Sequence, residues 1–385
     1  MYLKKHLVFK LLLVVISISC SQRHEHSAVV EEKSEENSSS WQFVVTGDCR
    51  SDSEGSGVNT EILDKVARAV SEEDIEFVLF TGDLVFGHAD RKNRGDQGAL
   101  DRLEQELLLF RNTMEPIYGK DIPVYCVRGN HSATQRYPDH SSHSDHRPIW
   151  PENKKVWDKV MSGKYAMPDN GPEREKNITF SAVHNNAMIL GLDLYTPNLD
   201  SAANPDGSYP KDACRRVNQP WLNEQLNTKS EHIFVFTHEP AFKVQHNDCM
   251  HGDMSYGSDF SEYRNEFWKS ISDAGARTYF CGHDHGYAHA RIDDGDGDFG
   301  NDVHQFVVGT AGAGVNIVPN YDGYNDPYIP VAQEYAQKFG YMLVTVDGAK
   351  ASFEFKALNE ETGVFEASSV FAYTKSESSP NSHLK

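Results

Sequence analysis

The sequence predicts an α/β domain, on three observations taken together. Short runs rich in Val, Ile, Leu and Phe stop at polar, glycine-containing turns. Stretches with helical spacing of apolar residues separate those runs, so that strand and helix patterns alternate along the chain. Near-continuous apolar runs suit strands covered on both faces. In such a sheet the loops after the strand C-termini gather along one edge, where ligands bind.

The first run, Trp41 to Thr46, ends at Gly47-Asp48. Glu76 to Thr81 ends at Gly82-Asp83, and Pro123 to Arg128 ends at Gly129-Asn130-His131. His232 to Thr237 ends at His238, and Arg277 to Cys281 ends at the turn Gly282-His283-Asp284-His285. Helical stripes lie between them. Ile62, Val66 and Val70 form one, and Leu100, Leu103, Leu107 and Phe110 another; Trp221, Leu222 and Leu226, then Phe260, Tyr263, Phe267 and Ile271, form two more. Three closing runs, Tyr341 to Val346, Ser352 to Lys356 and Ser369 to Tyr373, read as part of a second sheet. Asp347-Gly348 suits a hairpin between the first two.

With 385 residues, 38% of them hydrophobic, the chain can build one large core with insertions and a tail. Its 57 acidic and 37 basic residues leave a formal net charge of -20. Most of this surface repels a polyphosphate backbone, which excludes a nonspecific nucleic-acid binder. The absence of a Gly-x-Ser-x-Gly elbow disfavours a serine hydrolase.

The N-terminus has the pattern of an export signal. Lys4, Lys5 and Lys10 precede or flank the apolar run Leu11 to Ile18, which is too short to cross about 30 Å of hydrocarbon. The order Ile18-Ser19-Cys20 resembles a bacterial lipobox, in which Cys20 takes a lipid and becomes the mature N-terminus; a plain secretory signal cut nearby is the alternative. Residues 21–40 are polar and acidic, and read as a flexible tether. The expected organisation is therefore a signal over 1–20, a tether over 21–40, a catalytic domain over 41–375 and a tail over 376–385. The expected location is extracytoplasmic, anchored to the membrane through Cys20. Of six cysteines, Cys49, Cys126 and Cys281 adjoin strands and read as small buried residues. Cys214 and Cys249 lie in polar loop sequence, where an exported setting permits a disulfide.

Collected in order, the strand-end clusters offer Asp48, Asp83, Asn130 with His131, His238, and His283 with His285. Carboxylates, an amide oxygen and imidazoles form a mixed oxygen and nitrogen ligand set. That set suits Zn, Mn or Fe better than an all-oxygen Ca or Mg site. A lone Gly-Asp turn is usually structural. Five clusters in the same position relative to their strands point to one centre.

Gly47-Asp48-Cys49-Arg50, Gly82-Asp83-Leu84-Val85, Gly129-Asn130-His131-Ser132, Thr237-His238-Glu239-Pro240 and Gly282-His283-Asp284-His285 resemble the motifs of the calcineurin-like metallophosphoesterase superfamily, which includes purple acid phosphatases and many phosphodiesterases. The resemblance implies two packed mixed sheets flanked by helices, and hydrolysis of a small phosphate ester by two transition-metal ions. It implies a first ion held by Asp48 and His285, with Asp83 bridging to a second ion held by Asn130, His238 and His283. His131 would assist the leaving group. Two ions can hold phosphate oxygens, acidify water and stabilise in-line displacement.

This chain departs from the pattern at two positions. Arg50 stands where many relatives have His, and Phe86 where purple acid phosphatases have a metal-binding Tyr. The first site loses a usual ligand, and the tyrosinate-to-iron colour is not expected. Arg50 either clamps a phosphate oxygen with its planar fork or forms a local salt bridge. The altered first site keeps a second class open, a noncatalytic phosphate- or metal-binding lipoprotein on the same scaffold. Around the site, the stretch with His140, His143 and His146 reads as a rim loop, and a third metal site is the sharper alternative. The segment Gln245 to Asp253, with His246, Asp248 and His251, also borders the pocket. Asp294, Asp296 and Asp298 invite calcium, but Phe299 and Gln305 replace the Gly and Glu that such a loop needs.

Overall fold

The computed structural model describes residues 40–51, 55–87, 96–136, 146–148, 152–196, 215–246, 248–250, 252–253, 261–324 and 327–375. In chain order it contains β1 (Trp41–Thr46), α1 (Thr60–Ser71), β2 (Val78–Phe80), α2 (Asp96–Thr113), α3 (Glu115–Tyr118), β3 (Val124–Cys126), α4 (Asn130–Ala133), β4 (Thr134–Arg136), β5 (His146–Pro148) and α5 (Glu152–Val160). It continues with β6 (Phe180–His184), β7 (Ala187–Gly191), α6 (Gln219–Leu226), β8 (His232–Phe236), β9 (Asp248–Cys249), β10 (Gly252–Asp253), α7 (Ser261–Asp273) and β11 (Thr278–Asp293). The last strands are β12 (Val303–Gly309), β13 (Ile329–Ala336), β14 (Gly340–Asp347), β15 (Lys350–Asn359) and β16 (Val364–Thr374). No helix among the described residues is long and apolar enough to cross a membrane.

Two mixed sheets form the body, as the sequence motifs imply. The first has the order β16-β15-β14-β1-β2-β3, with β1, β2 and β3 parallel. The second has the order β12-β11-β8-β7-β6, with β13 also on β11 and with β7, β8 and β11 parallel. The sheets meet through an aromatic wall. The Phe43 ring lies 4.9 Å from that of Phe234, and Phe306 lies 5.5 Å from Phe353. Alternation along β1 turns Val44 to the other face, where α1 and α2 contribute Ile62, Val66, Leu107 and Phe110 to the same core. Asn59 starts α1 by accepting the Ile62 N–H. Beyond the second sheet, Leu222 of α6 and Phe267, Trp268 and Ile271 of α7 build a separate cluster with Leu190, Val235 and Tyr279.

The three closing strands correct one expectation. They do not belong to a sheet apart from the first strand; β14 pairs antiparallel with β1, Trp41 opposite Val346, and so extends the first sheet. Asp347 pairs with Lys350 across the expected hairpin, and Gly348 takes the left-handed conformation that the turn requires, φ 54°.

Gly282 to His285 lie within the span of β11 but form a turn between its two pairing segments, as expected. Partners on β12 ascend from Thr278 opposite His304 to Cys281 opposite Val307, then descend from Gly286 opposite Gly309 to Ile292 opposite Val303, so the chain reverses around the end of β12. That reversal brings His283 and His285 to the common edge.

A buried ion pair joins the sheets beside that edge. Arg128, just past β3, donates through Nε and Nη2 to the two oxygens of Asp193, just past β7, at 2.8 and 2.7 Å. Backbone N–H groups of Tyr195 and Thr196 also donate to Asp193. Removing one partner would leave an uncompensated buried charge, at a cost of about 3–5 kcal/mol. Equilibrium urea unfolding should therefore show Asp193→Ala losing stability on that scale, and Phe43→Ala losing about 3–5 kcal/mol through its cavity. Val183, 72% exposed, is the control, and its change to Ser should stay within about 0.5 kcal/mol.

Candidate metal centre

The parallel strands of both sheets deliver their C-terminal residues to one edge, and backbone hydrogen bonds lock the loops together there. The Asp48 N–H donates to Gly82 O, the Cys49 N–H to Asp83 O, and the Gly282 N–H to His238 O, at 2.8–3.0 Å. Every predicted site residue among the strand-end clusters is buried: Asp48, Asp83, Asn130, His131, His238, His283 and His285. Five segments far apart in sequence therefore meet.

Each carboxylate is aimed by the backbone of another motif. Asp48 accepts the His283 N–H through both oxygens, at 3.0 and 3.1 Å, and Asp83 accepts the His131 N–H at 3.1 Å. Two glycines make these approaches possible. A Cβ on Gly129 would stand 2.0 Å from Asp83 Oδ1, and one on Gly282 would stand 2.0 Å from Asp48 Oδ2. Asp48, Asp83 and His283 themselves have φ of 57°, 45° and 70°. Left-handed backbone at a non-glycine residue costs about 1–3 kcal/mol and clusters at functional sites. That cost falls on three proposed ligands.

The donor set fits a cation. His238 donates Nδ1–H to Thr81 O at 2.9 Å, which leaves Nε2 as a lone pair. That lone pair faces Asn130 Oδ1 at 3.0 Å and Asp83 Oδ1 at 3.4 Å. Three acceptors so placed repel one another unless a positive ion lies among them. Ligand atoms of Asp48, Asp83 and His238 all fall within 4.8 Å of one another. His285 Nε2 is 3.9 Å from Asp48 Oδ1, and the His283 ring centre is 5.2 Å from that of His238. Burial, and then the charge of Asp83, push the Asp48 carboxyl well above the usual carboxylate range. Burial pulls His238 below its ordinary value, and burial with the charge of Arg50 pulls His285 down to about 3. The imidazoles are thus neutral, the form that ligates metal.

His131 and Arg50 border the centre. His131 donates Nδ1–H to Phe86 O at 2.7 Å, and its Nε2 lies 3.9 Å from Asp83 Oδ2. Arg50 sets Nε 3.5 Å from Asp83 Oδ2 and Nη2 3.4 Å from His285 Nε2. Phe86 packs on His131, ring centres 5.2 Å apart, which is compatible with its not being a ligand.

One part of the site was not visible as a motif. Asp284, between the two histidines, is buried and accepts the backbone N–H groups of Gln245 and His246 at 3.0 Å, and it also bonds to His246 Nδ1. Burial would raise Asp284, but the bonds and charge of His246 hold it below its usual range. The His246 ring centre lies 5.1 Å from that of His283, so the loop after His238 borders the centre as expected. Its one legible signal was the acidic residue inside His-Asp-His.

Other expectations resolve more simply. Cys49, Cys126 and Cys281 are buried free thiols. The carboxylates at Asp294, Asp296 and Asp298 accept nearby backbone N–H groups, and no ligand cluster forms there among the described residues. Cys20, Cys214, His140, His143 and His251 lie outside the described residues, as do the side chains of His146, Asp248 and Cys249.

The ligand reading has a direct test. Asp83→Asn keeps an acceptor for the His131 N–H but removes a charge shared across the centre. Bound Mn should weaken by about 10–100-fold, read by metal analysis after dialysis. Gly129→Ala, which displaces the same carboxylate, should weaken it comparably.

The family model described as Calcineurin-like phosphoesterase matches residues 42–287. No curated protein sequence matches the chain. Among solved structures, a purple acid phosphatase from yellow lupin (Lupinus luteus) seeds is similar at a TM-score of 0.56 and 15% identity, over 87% of this chain and 54% of that one. The chain thus spans about half of the lupin protein. The structure of PhoD is similar at 0.57 and 11% identity, over 87% and 70% of the two chains. GAP50, the anchor in the inner membrane complex of Plasmodium, is similar at 0.50 and 13%, over 88% and 90%. At these identities the likeness is one of fold. The matched motifs and the acceptor cluster they build agree with the family model: the chain belongs to the calcineurin-like phosphoesterase family.

Proposed function

We propose that this protein hydrolyses small phosphate esters outside the cytoplasm, at a binuclear centre of Fe, Mn or Zn ions. Asp48 and His285 would hold the first ion, Asn130, His238 and His283 the second, and Asp83 would serve both. The observation that carries this reading is the approach of His238 Nε2 to two further acceptors, Asn130 Oδ1 and Asp83 Oδ1. Bound ions would orient the phosphate, acidify water and stabilise the charge of in-line displacement.

The chain's own groups supply the rest. The bond from His131 Nδ1–H to Phe86 O turns Nε2 towards the centre, where it gives a proton to the departing alkoxide. Arg50, partly open to solvent, donates to a phosphate oxygen from beside Asp83 and His285. The net charge of -20 favours a small ester over a polymer. Likeness to the lupin purple acid phosphatase and membership of the matched family support phosphate-ester chemistry. The lipobox-like Ile18-Ser19-Cys20 supports an anchored, extracytoplasmic location.

General-acid help is worth about 10²–10⁴ in rate, most for a poor leaving group. His131→Ala should therefore slow alkyl phosphate esters far more than nitrophenyl esters, with metal content intact. Equal slowing of both would reject the acid role. Cys20→Ala should move the protein from the membrane to the soluble fraction with its turnover unchanged; unlipidated wild-type protein would reject the tether.

A further inference from the structure

Arg50 stands where the first ion belongs, and the inference drawn from this rests on the metal-centre reading above. Its Nη2 is 3.4 Å from His285 Nε2 and its Nε 3.5 Å from Asp83 Oδ2, both proposed ligand atoms. A guanidinium N–H can only donate. His285 Nε2 therefore receives it with the lone pair that a metal would use. Asp48 closes the arrangement, with Oδ1 3.9 Å from the same His285 nitrogen. An ion with ligand distances of about 2.0–2.2 Å would lie in the gap that these guanidinium nitrogens approach.

The two cations cannot share that gap. Arg stays protonated at any ordinary pH, and like charges a few ångströms apart repel strongly when water is scarce. The loop geometry keeps Arg50 at this place: its backbone bridges to Val58, and the adjacent Cys49 N–H donates to Asp83 O at 3.0 Å. The side chain has room to leave, being 23% exposed against 2% for Asp83. The second site has the opposite character, with the His238 lone pair facing two further acceptors.

We infer that Arg50 competes with metal for the first site, supplying positive charge there until an ion displaces its guanidinium. The second site then fills tightly and the first weakly. A phosphate entering at low metal meets one ion on one side and a guanidinium on the other.

Manganese titration of the chelator-stripped full chain tests this, by calorimetry with metal analysis of the dialysed protein. Wild type should take one tight equivalent and a second that binds at least about tenfold more weakly. Arg50→Gln removes the competing charge and should tighten the second equivalent by about tenfold or more. Arg50→His, which adds an imidazole at the same place, should tighten it further. The exchange-coupled spectrum of a manganese pair should appear at lower metal in both variants. Two equally tight equivalents in wild type would overturn the inference, as would a second equivalent that Arg50→Gln leaves unchanged or weakens. If none of the three proteins binds manganese, the metal-centre reading fails and the inference fails with it.

Discussion

Two buried carboxylates set the terms for the rest of this structure. Asp48 and Asp83 lie close enough, and far enough from water, that burial and mutual repulsion drive the Asp48 carboxyl towards its protonated form. Such a pair is unfavourable unless positive charge and hydrogen-bond donors surround it. The backbone N–H groups of His131 and His283 supply the donors. Neutral imidazoles stand ready as co-ligands, since a charged one would oppose the ion the carboxylates call for. The sheets, the motif glycines and the left-handed corners all hold like charges in a place that water alone would not permit.

Much of this was legible because strand ends speak locally. An apolar run cut off by Gly-Asp or Gly-Asn-His announces both the strand and the edge it reaches. The stripe Ile62, Val66 and Val70 likewise marked α1 by spacing alone. What remained hidden depends on partners remote in the chain. Trp41 pairs with Val346, and no local pattern tells a C-terminal strand which sheet it will join. Gly282 to His285 read as a turn because glycine and short polar residues usually end a strand, but only the pairing shows where the chain goes next, back along the other side of β12. Left-handed backbone at Asp48, Asp83 and His283 was hidden for a similar reason, since Asp and His merely tolerate that region.

The comparisons agree with this division. A family model covers the strands that carry the candidate ligands, whereas the solved structures share the two-sheet scaffold at identities of 11–15%. Fold physics explains the scaffold; chemistry explains the corners. Positions that depart from the common pattern, Arg50 and Phe86, are where this chain's own behaviour is written. Phe86 lends a carbonyl and a ring face to His131, and so fixes the orientation of that imidazole.

The Arg128–Asp193 pair bears on when the centre can be assembled. It fastens the end of β3 to the end of β7 with two short charge-assisted bonds, one step before Gly129-Asn130-His131. The two halves of the ligand shell are thereby held in register by protein contacts alone. A chain so built can fold first and acquire its ions afterwards. Loading then becomes a late event governed by local supply, separate from folding.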